Sequence, residues 1–118
     1  MFYHLEGTIT DITGSMVVVD CHGIGFAVAC SLNTISQLSL GEKKKLLISE
    51  VIREDGFELF GFAEKSEKTL FDMLISVSGI GPKASIAILS ANSPAGLIQA
   101  IASGNEKALT VAQGVGKK

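Results

Sequence analysis

Ser78-Gly79-Ile80-Gly81-Pro82-Lys83 and, further along, Gln113-Gly114-Val115-Gly116-Lys117-Lys118 share one form: glycine, an apolar residue, glycine, then a lysine within two positions. The first glycine of each can take a positive φ at no steric cost, which permits a very tight turn. Ile80 or Val115, between the glycines, can tuck inward and hold that turn against a core. The second glycine leaves room for another backbone to come close. Pro82 suits the first position of a helix, where its missing N–H costs nothing. A helix starting there directs its free N–H groups and the positive end of its dipole outward, as an anion site. The unit is helix, hairpin turn, helix, with the turn shaped for a phosphate.

Three other readings of these glycines compete. Gly79-Ile80-Gly81-Pro82-Lys83-Ala84 fits the dinucleotide fingerprint G-x-G-x-x-A, which has to follow a strand. The preceding Leu70, Leu74 and Val77 stand at helical spacing instead. Gly116-Lys117 invites a phosphate-loop reading, but the upstream glycine of that motif would fall on Val111, and Lys118 stands in place of Ser or Thr. A glycine that merely ends a helix would account for one copy. Two copies at a fixed offset, each followed by lysine, favour a repeated binding unit.

The flanking sequence supports helices around both turns. Ser66 is expected to cap a helix from Glu67 to Val77, and a second runs from Pro82 to Ser90 with Ile86 and Leu89 inward. Ser93-Pro94 opens a third through Leu97, Ile98 and Ile101, ending at Gly104. Asn105 caps a shorter one through Leu109, before the second hairpin.

The first half reads as β. From Phe2 to Asp11 the residues alternate, with Tyr3, Leu5, Gly7, Ile9 and Asp11 on one side. Turns at Thr13-Gly14-Ser15, His22-Gly23 and Glu54-Asp55-Gly56 punctuate strands at Met16–Cys21, Ile24–Cys30, Lys43–Arg53 and Phe57–Phe62. Gly25 is expected to mark a bulge or kink. Between the third and fourth strands, Ser31 to Leu40 has Leu32, Ile35 and Leu38 at helical spacing, closed by Gly41. Five short strands with that interposed helix describe an OB-fold barrel. The expected class is therefore α+β: a barrel over 1–63, then an all-α tandem helix-hairpin-helix domain over 64–118. With no flexible linker near Ala63-Glu64-Lys65, the two are expected to pack together.

Charge divides along the same line. Through Phe62 four basic residues face eight acidic ones, a net of −4, and from Ala63 onward six face four, a net of +2. The halves are built for different tasks. Cys21 and Cys30, without a secretory signal, are read as reduced thiols of a cytoplasmic protein, and their spacing to His4 and His22 does not suggest a metal site. No apolar run is long enough to span a membrane. No cofactor is expected.

Here a family resemblance becomes specific. Val51-Ile52-Arg53-Glu54-Asp55 with Phe60-Gly61-Phe62, Thr69-Leu70-Phe71, Gly79-Ile80-Gly81-Pro82-Lys83 with Ala87-Ile88-Leu89-Ser90, and Gly114-Val115-Gly116-Lys117-Lys118 together resemble the RuvA family over the full chain. That family supplies the Holliday-junction-binding subunit of the RuvAB branch-migration complex, which serves DNA recombination and repair. The resemblance implies a homotetramer, singly or as two tetramers around one four-way junction, with RuvB as motor and RuvC as resolvase partner. It implies phosphate contacts at Gly79, Ile80, Gly81, Lys83, Gly114, Val115, Gly116, Lys117 and Lys118, indifferent to base sequence. It also makes Glu54 and Asp55 an acidic pin beside the strand crossover, where the residues alone suggest an ordinary solvated hairpin turn. The family continues into a third domain that holds the motor, and the sequence to Lys118 offers no residues for that contact. Gln113 stands where many second hairpins of the family have proline.

An enzyme is not expected. A nuclease would need more than the adjacent Glu54 and Asp55 to hold a metal. A helix-hairpin-helix glycosylase needs a catalytic Lys or Asp just after a hairpin, and Asp72 precedes it. A single-strand-binding barrel would use Tyr3, Phe26 and Phe57 for stacking, which the acidic barrel argues against.

Overall fold

The computed structural model describes residues 1–77, 79–91 and 96. Its strands are β1 (His4–Thr13), β2 (Met16–Cys21), β3 (Ile24–Cys30), β4 (Lys43–Arg53) and β5 (Gly56–Phe62), with α1 (Leu32–Ile35) between β3 and β4. Two further helices follow, α2 (Lys65–Ile75) and α3 (Pro82–Ala91). The strands close in the order β1-β2-β3-β5-β4, with β4 returning to β1. All neighbours are antiparallel except β3 and β5, which run parallel and pair only at Ala29↔Phe60 and Cys30↔Gly61. This is the expected five-stranded OB barrel.

Alternation fills it. Leu5 and Ile9 from β1, Val17 and Val19 from β2, Val28 and Cys30 from β3, Leu46 and Ile48 from β4 and Leu59 from β5 are buried in one core. Each is every second residue of its strand, as the pleat requires. The period breaks once, and at a different place from the one expected. Gly25 pairs in regular register with Asp20, whereas β1 shifts between Ile9 and Asp11, leaving Thr10 as the extra residue. The bulge turns Asp11 outward and brings Ile12 against the core in its place. Gly61 has a packing role: a Cβ there would lie 2.5 Å from Val28 Cγ1, against the one seam where β5 meets β3.

The helix after β3 is shorter than its periodicity suggests. Ser31 caps α1, its hydroxyl accepting from the Thr34 amide at 3.1 Å. Beyond Ile35 the chain tightens into three-residue turns, Thr34 C=O to Gln37 N–H and Ile35 C=O to Leu38 N–H. Ile35 and Leu38 meet the core as expected, but Leu32 lies outside it at 61% exposure. Ser66 is not the cap of α2. The helix starts at Lys65 and the Glu64 carbonyl accepts from Lys68, which places Ser66 in the first turn. The residue that matters there is Glu67. Only 1% exposed, it accepts from Ser31 Oγ and Thr34 Oγ1, both at 2.5 Å, while the Ala63 amide donates to Thr34 Oγ1 at 3.2 Å. A buried carboxylate is tolerated because hydroxyls and the positive end of α2 satisfy it.

The chain divides into two compact units, Met1–Lys68 and Thr69 onward, so Glu67 and the first turn of α2 belong with the barrel. The expected boundary at Ala63 and Glu64 lies where β5 hands over to α2. In the second unit Leu70, Phe71 and Leu74 are buried on α2, and Ser85, Ile88 and Leu89 on α3. Ile86, expected inward, is half-buried, and Val77 lies beyond the end of α2 at 50% exposure. Among the described residues no helix is long and apolar enough to cross a membrane.

Candidate nucleic-acid interface

α2 ends by winding tighter. Ser76 and Val77 donate backbone bonds to Met73 and Leu74, three residues back in each case, and Ile80 donates to Val77 at 3.1 Å. The last bond closes a four-residue turn whose third residue is Gly79, at φ +90°. Among the described residues a Cβ there would meet nothing within 4 Å, and the backbone angle alone calls for glycine. Ile80 is half-buried behind the turn.

α3 starts at Pro82, as the sequence predicts. Gly81 is its cap, with the carbonyl accepting both the amide and the hydroxyl of Ser85, each at 2.9 Å. Having no side chain, Gly81 cannot satisfy the first amides of the helix as Ser or Asp would. The first turn of α3 contains no acidic residue, and exposed Lys83 stands in it. A cation at the positive end of a helix is out of place by about 0.3–1 kcal/mol. An incoming anion reverses that sign and satisfies the free amides. Gly81 is exposed, and among the described residues a Cβ on it would find no atom within 4 Å, so none of them explains a glycine there. The second set, Gly114, Val115, Gly116, Lys117 and Lys118, lies outside the described residues, as does Ser78.

The acidic hairpin belongs to the barrel. β4 and β5 stay in register up to Arg53↔Gly56, leaving Glu54 and Asp55 as a two-residue turn, both exposed. The positive φ of this turn falls on Gly56, at 142°. Beneath it, Arg53 Nη2 and Glu58 Oε1 form an ion pair of 2.8 Å across the two strands. The sequence reading missed this pair. Its signal was the spacing: a two-residue turn sets the residue before it diagonally opposite the one five positions on.

The stacking candidates separate. Tyr3 and Phe57 are each 57% exposed, and Phe26 is half-buried with its ring edge-on to Phe2 at 5.5 Å. Lys68 Nζ lies 5.4 Å from the centre of the Tyr3 ring, which gives that tyrosine a cation partner already. Among the described residues no three His, Cys, Asp or Glu side chains converge as metal ligands do. Cys30 sits in the barrel core. Its thiol is pushed up to about 12, chiefly by burial and to a lesser extent by the Glu67 carboxylate, against a hydrogen bond with the Gly61 backbone that lowers it.

A closed five-stranded barrel followed by two helices joined at a glycine turn defines an architecture of OB barrel plus helix-hairpin-helix. The RuvA N terminal domain model matches residues 1–61, and the SAM-like helix-hairpin-helix tandem model matches 71–118. The chain belongs to the RuvA family. Relatives named Holliday junction branch migration complex subunit RuvA align along its whole length, at 42% identity in Streptomyces coelicolor, 45% in Bacteroides fragilis and 45% in a Thermoanaerobacter species. The chain spans 59%, 59% and 64% of those relatives, respectively.

Proposed function

We propose that this chain binds four-way DNA junctions by their backbones, without reading base sequence, and presents them to an ATP-driven motor for branch migration in recombination and repair. The observation that carries the reading is the pairing of Gly79 at φ +90° with the uncapped, acid-free start of α3. Backbone amides at Gly79 and Gly81 and the charge of Lys83 form the first phosphate site, with Ile80, whose own amide is taken by Val77, holding the turn in shape. Gly114, Val115, Gly116, Lys117 and Lys118 form the second by repetition of the motif. Glu54 and Asp55 act as a pin near the crossover, repelling phosphates and so keeping strands apart. The functional division falls at 63 and 64, with the barrel presenting the pin and the helices holding the arms.

The relatives' name makes each of them a subunit of a branch migration complex. Beyond what that name says, the resemblance of the sequence motifs to the family leads us to propose that this chain works as a homotetramer, one or two per junction, with the RuvB motor and the RuvC resolvase as partners in the cytoplasm. It contributes DNA binding and no catalytic site of its own. A gel-shift series on four-way junction, duplex and single strand, at fixed salt, tests the reading. Strong preference for the junction is expected. Equal affinity for all three, or preference for single strand, would overturn it, the latter in favour of a stacking barrel.

A further inference from the structure

The hairpin that carries Glu54 and Asp55 also holds the chain's sole arginine. Arg53 stands at the base of the turn, paired with Glu58 at 2.8 Å, and the two side chains are 46% and 41% exposed. The stem and turn thus hold one cation and three carboxylates, Glu54, Asp55 and Glu58. Both side chains are nearly half exposed, so solvent screens the pair and two long side chains lose freedom in forming it, although the accepting oxygen, Glu58 Oε1, is itself cut off from water. A guanidinium is also the cation best matched to a phosphodiester, since its planar fork offers two parallel donors to two oxygens. In the free chain that fork is engaged by Glu58, on a hairpin stem whose two side chains stay nearly half open to solvent.

We propose that Arg53 exchanges partners: it leaves Glu58 for a DNA phosphate when a junction strand passes the hairpin, and Glu58 is the internal competitor that sets how readily it does so. Arg53 is then a specificity-determining residue that acts against the pin beside it. Glu54 and Asp55 hold phosphates off, while Arg53 accepts the one phosphate whose position lets it reach the fork. A strand arriving elsewhere meets three carboxylates and a cation that stays with Glu58. The inference rests on the placing of the acidic turn near the crossover.

The test is a cycle of Glu58→Gln, Arg53→Gln and the double variant, titrated on junction DNA from low to high salt. Unfolding midpoints are measured alongside, and half-exposed positions of this kind are expected to move them little. Glu58→Gln releases the guanidinium, so the slope of log affinity against log salt should steepen by about 0.9 per phosphate newly neutralised, or about eightfold in relative affinity over a tenfold range of salt. Arg53→Gln should remove that gain, leaving the double variant with the slope of Arg53→Gln alone. An equal gain from Glu58→Gln in both backgrounds would show that Glu58 acts only through its own charge, and would overturn the exchange. Glu54→Gln with Asp55→Asn, run in the same series, separates the two readings. If that variant alters junction binding and Glu58→Gln does not, the exchange fails and the pin stands. If neither alters it, both fail. A gain from Glu58→Gln that needs Arg53, without any effect of the pin variant, leaves Arg53 as a phosphate contact and removes the pin.

Discussion

Two glycines set two residues apart fulfil different needs, and substitution separates them. Gly79 is held at φ +90°, so Gly79→Ala strains the backbone by about 1–3 kcal/mol while its methyl meets none of the described residues. Gly81 has no positive φ and equally open surroundings, so Gly81→Ala should cost about 1 kcal/mol or less, through a poorer cap. If phosphate comes up to Gly81, the added methyl should nevertheless weaken junction binding. Urea unfolding and junction titration on the pair check this, and an unstable but fully binding Gly81→Ala would place the DNA elsewhere. The sequence showed that both glycines mattered but not which constraint each answers, because a φ and an outside approach leave the same letter. Cys30 gives a second prediction at this scale. Its folded-state pKa, near 12, lies above the ordinary value of 9.0, so the protonated thiol stabilises the fold. That contribution is complete below about pH 9 and is lost as pH rises toward 12. Thermal midpoints measured over that range should fall, and fall less steeply in Cys30→Ala than in the unaltered chain.

Among the elements, the strands were the most legible. β2 follows from a β-branched run between glycine turns and β3 from the apolar stretch after the second of them, and in β1 burial follows the alternation as far as Ile9. The helices were less so, for a reason centred on Glu67. A pattern of apolar residues says nothing of a buried carboxylate that joins α1 to the start of α2 through Ser31 and Thr34. Removing it leaves two buried hydroxyls without their acceptor, at about 1–3 kcal/mol for each group. Glu67→Ala should therefore destabilise the barrel by several kcal/mol, and Glu67→Gln, which keeps one acceptor, by less. Denaturant midpoints that ranked the two the other way would deny the carboxylate its structural role. The β4–β5 hairpin was legible as a turn, yet its function rests on family likeness. Two carboxylates beside a polyanion cost free energy that salt screens within ~8 Å at physiological strength. Glu54→Gln with Asp55→Asn should thus tighten junction binding most at low salt and let plain duplex compete better. An unaltered ratio of junction to duplex affinity at low salt would remove the turn from the DNA.

On the scale of the molecule, the division of charge into an acidic barrel and a basic helical half was visible at once, and matches an assignment of backbone binding to the hairpins and repulsion to the pin. Assembly was not visible, because apolar surplus does not reveal which surface it covers. Sedimentation at micromolar concentration should show a tetramer, and a strictly monomeric species would leave the four-fold arrangement without support. The barrel's seam has a separate, kinetic consequence. β1-β2-β3 forms a meander of near neighbours and β4-β5 a hairpin, and both can form from local contacts. Only Ala29↔Phe60 and Cys30↔Gly61 close one onto the other along the β3 edge, across some thirty residues of chain. β1 and β4 also join the two, by five pairs, so the seam is the closure with the fewest bonds to offset its loop entropy; it comes late in folding and opens early in native fluctuations. Slow amide exchange in the meander and faster exchange at the seam would be its trace, and Gly61, which no larger residue can replace there without moving Val28, is what lets the barrel shut at all.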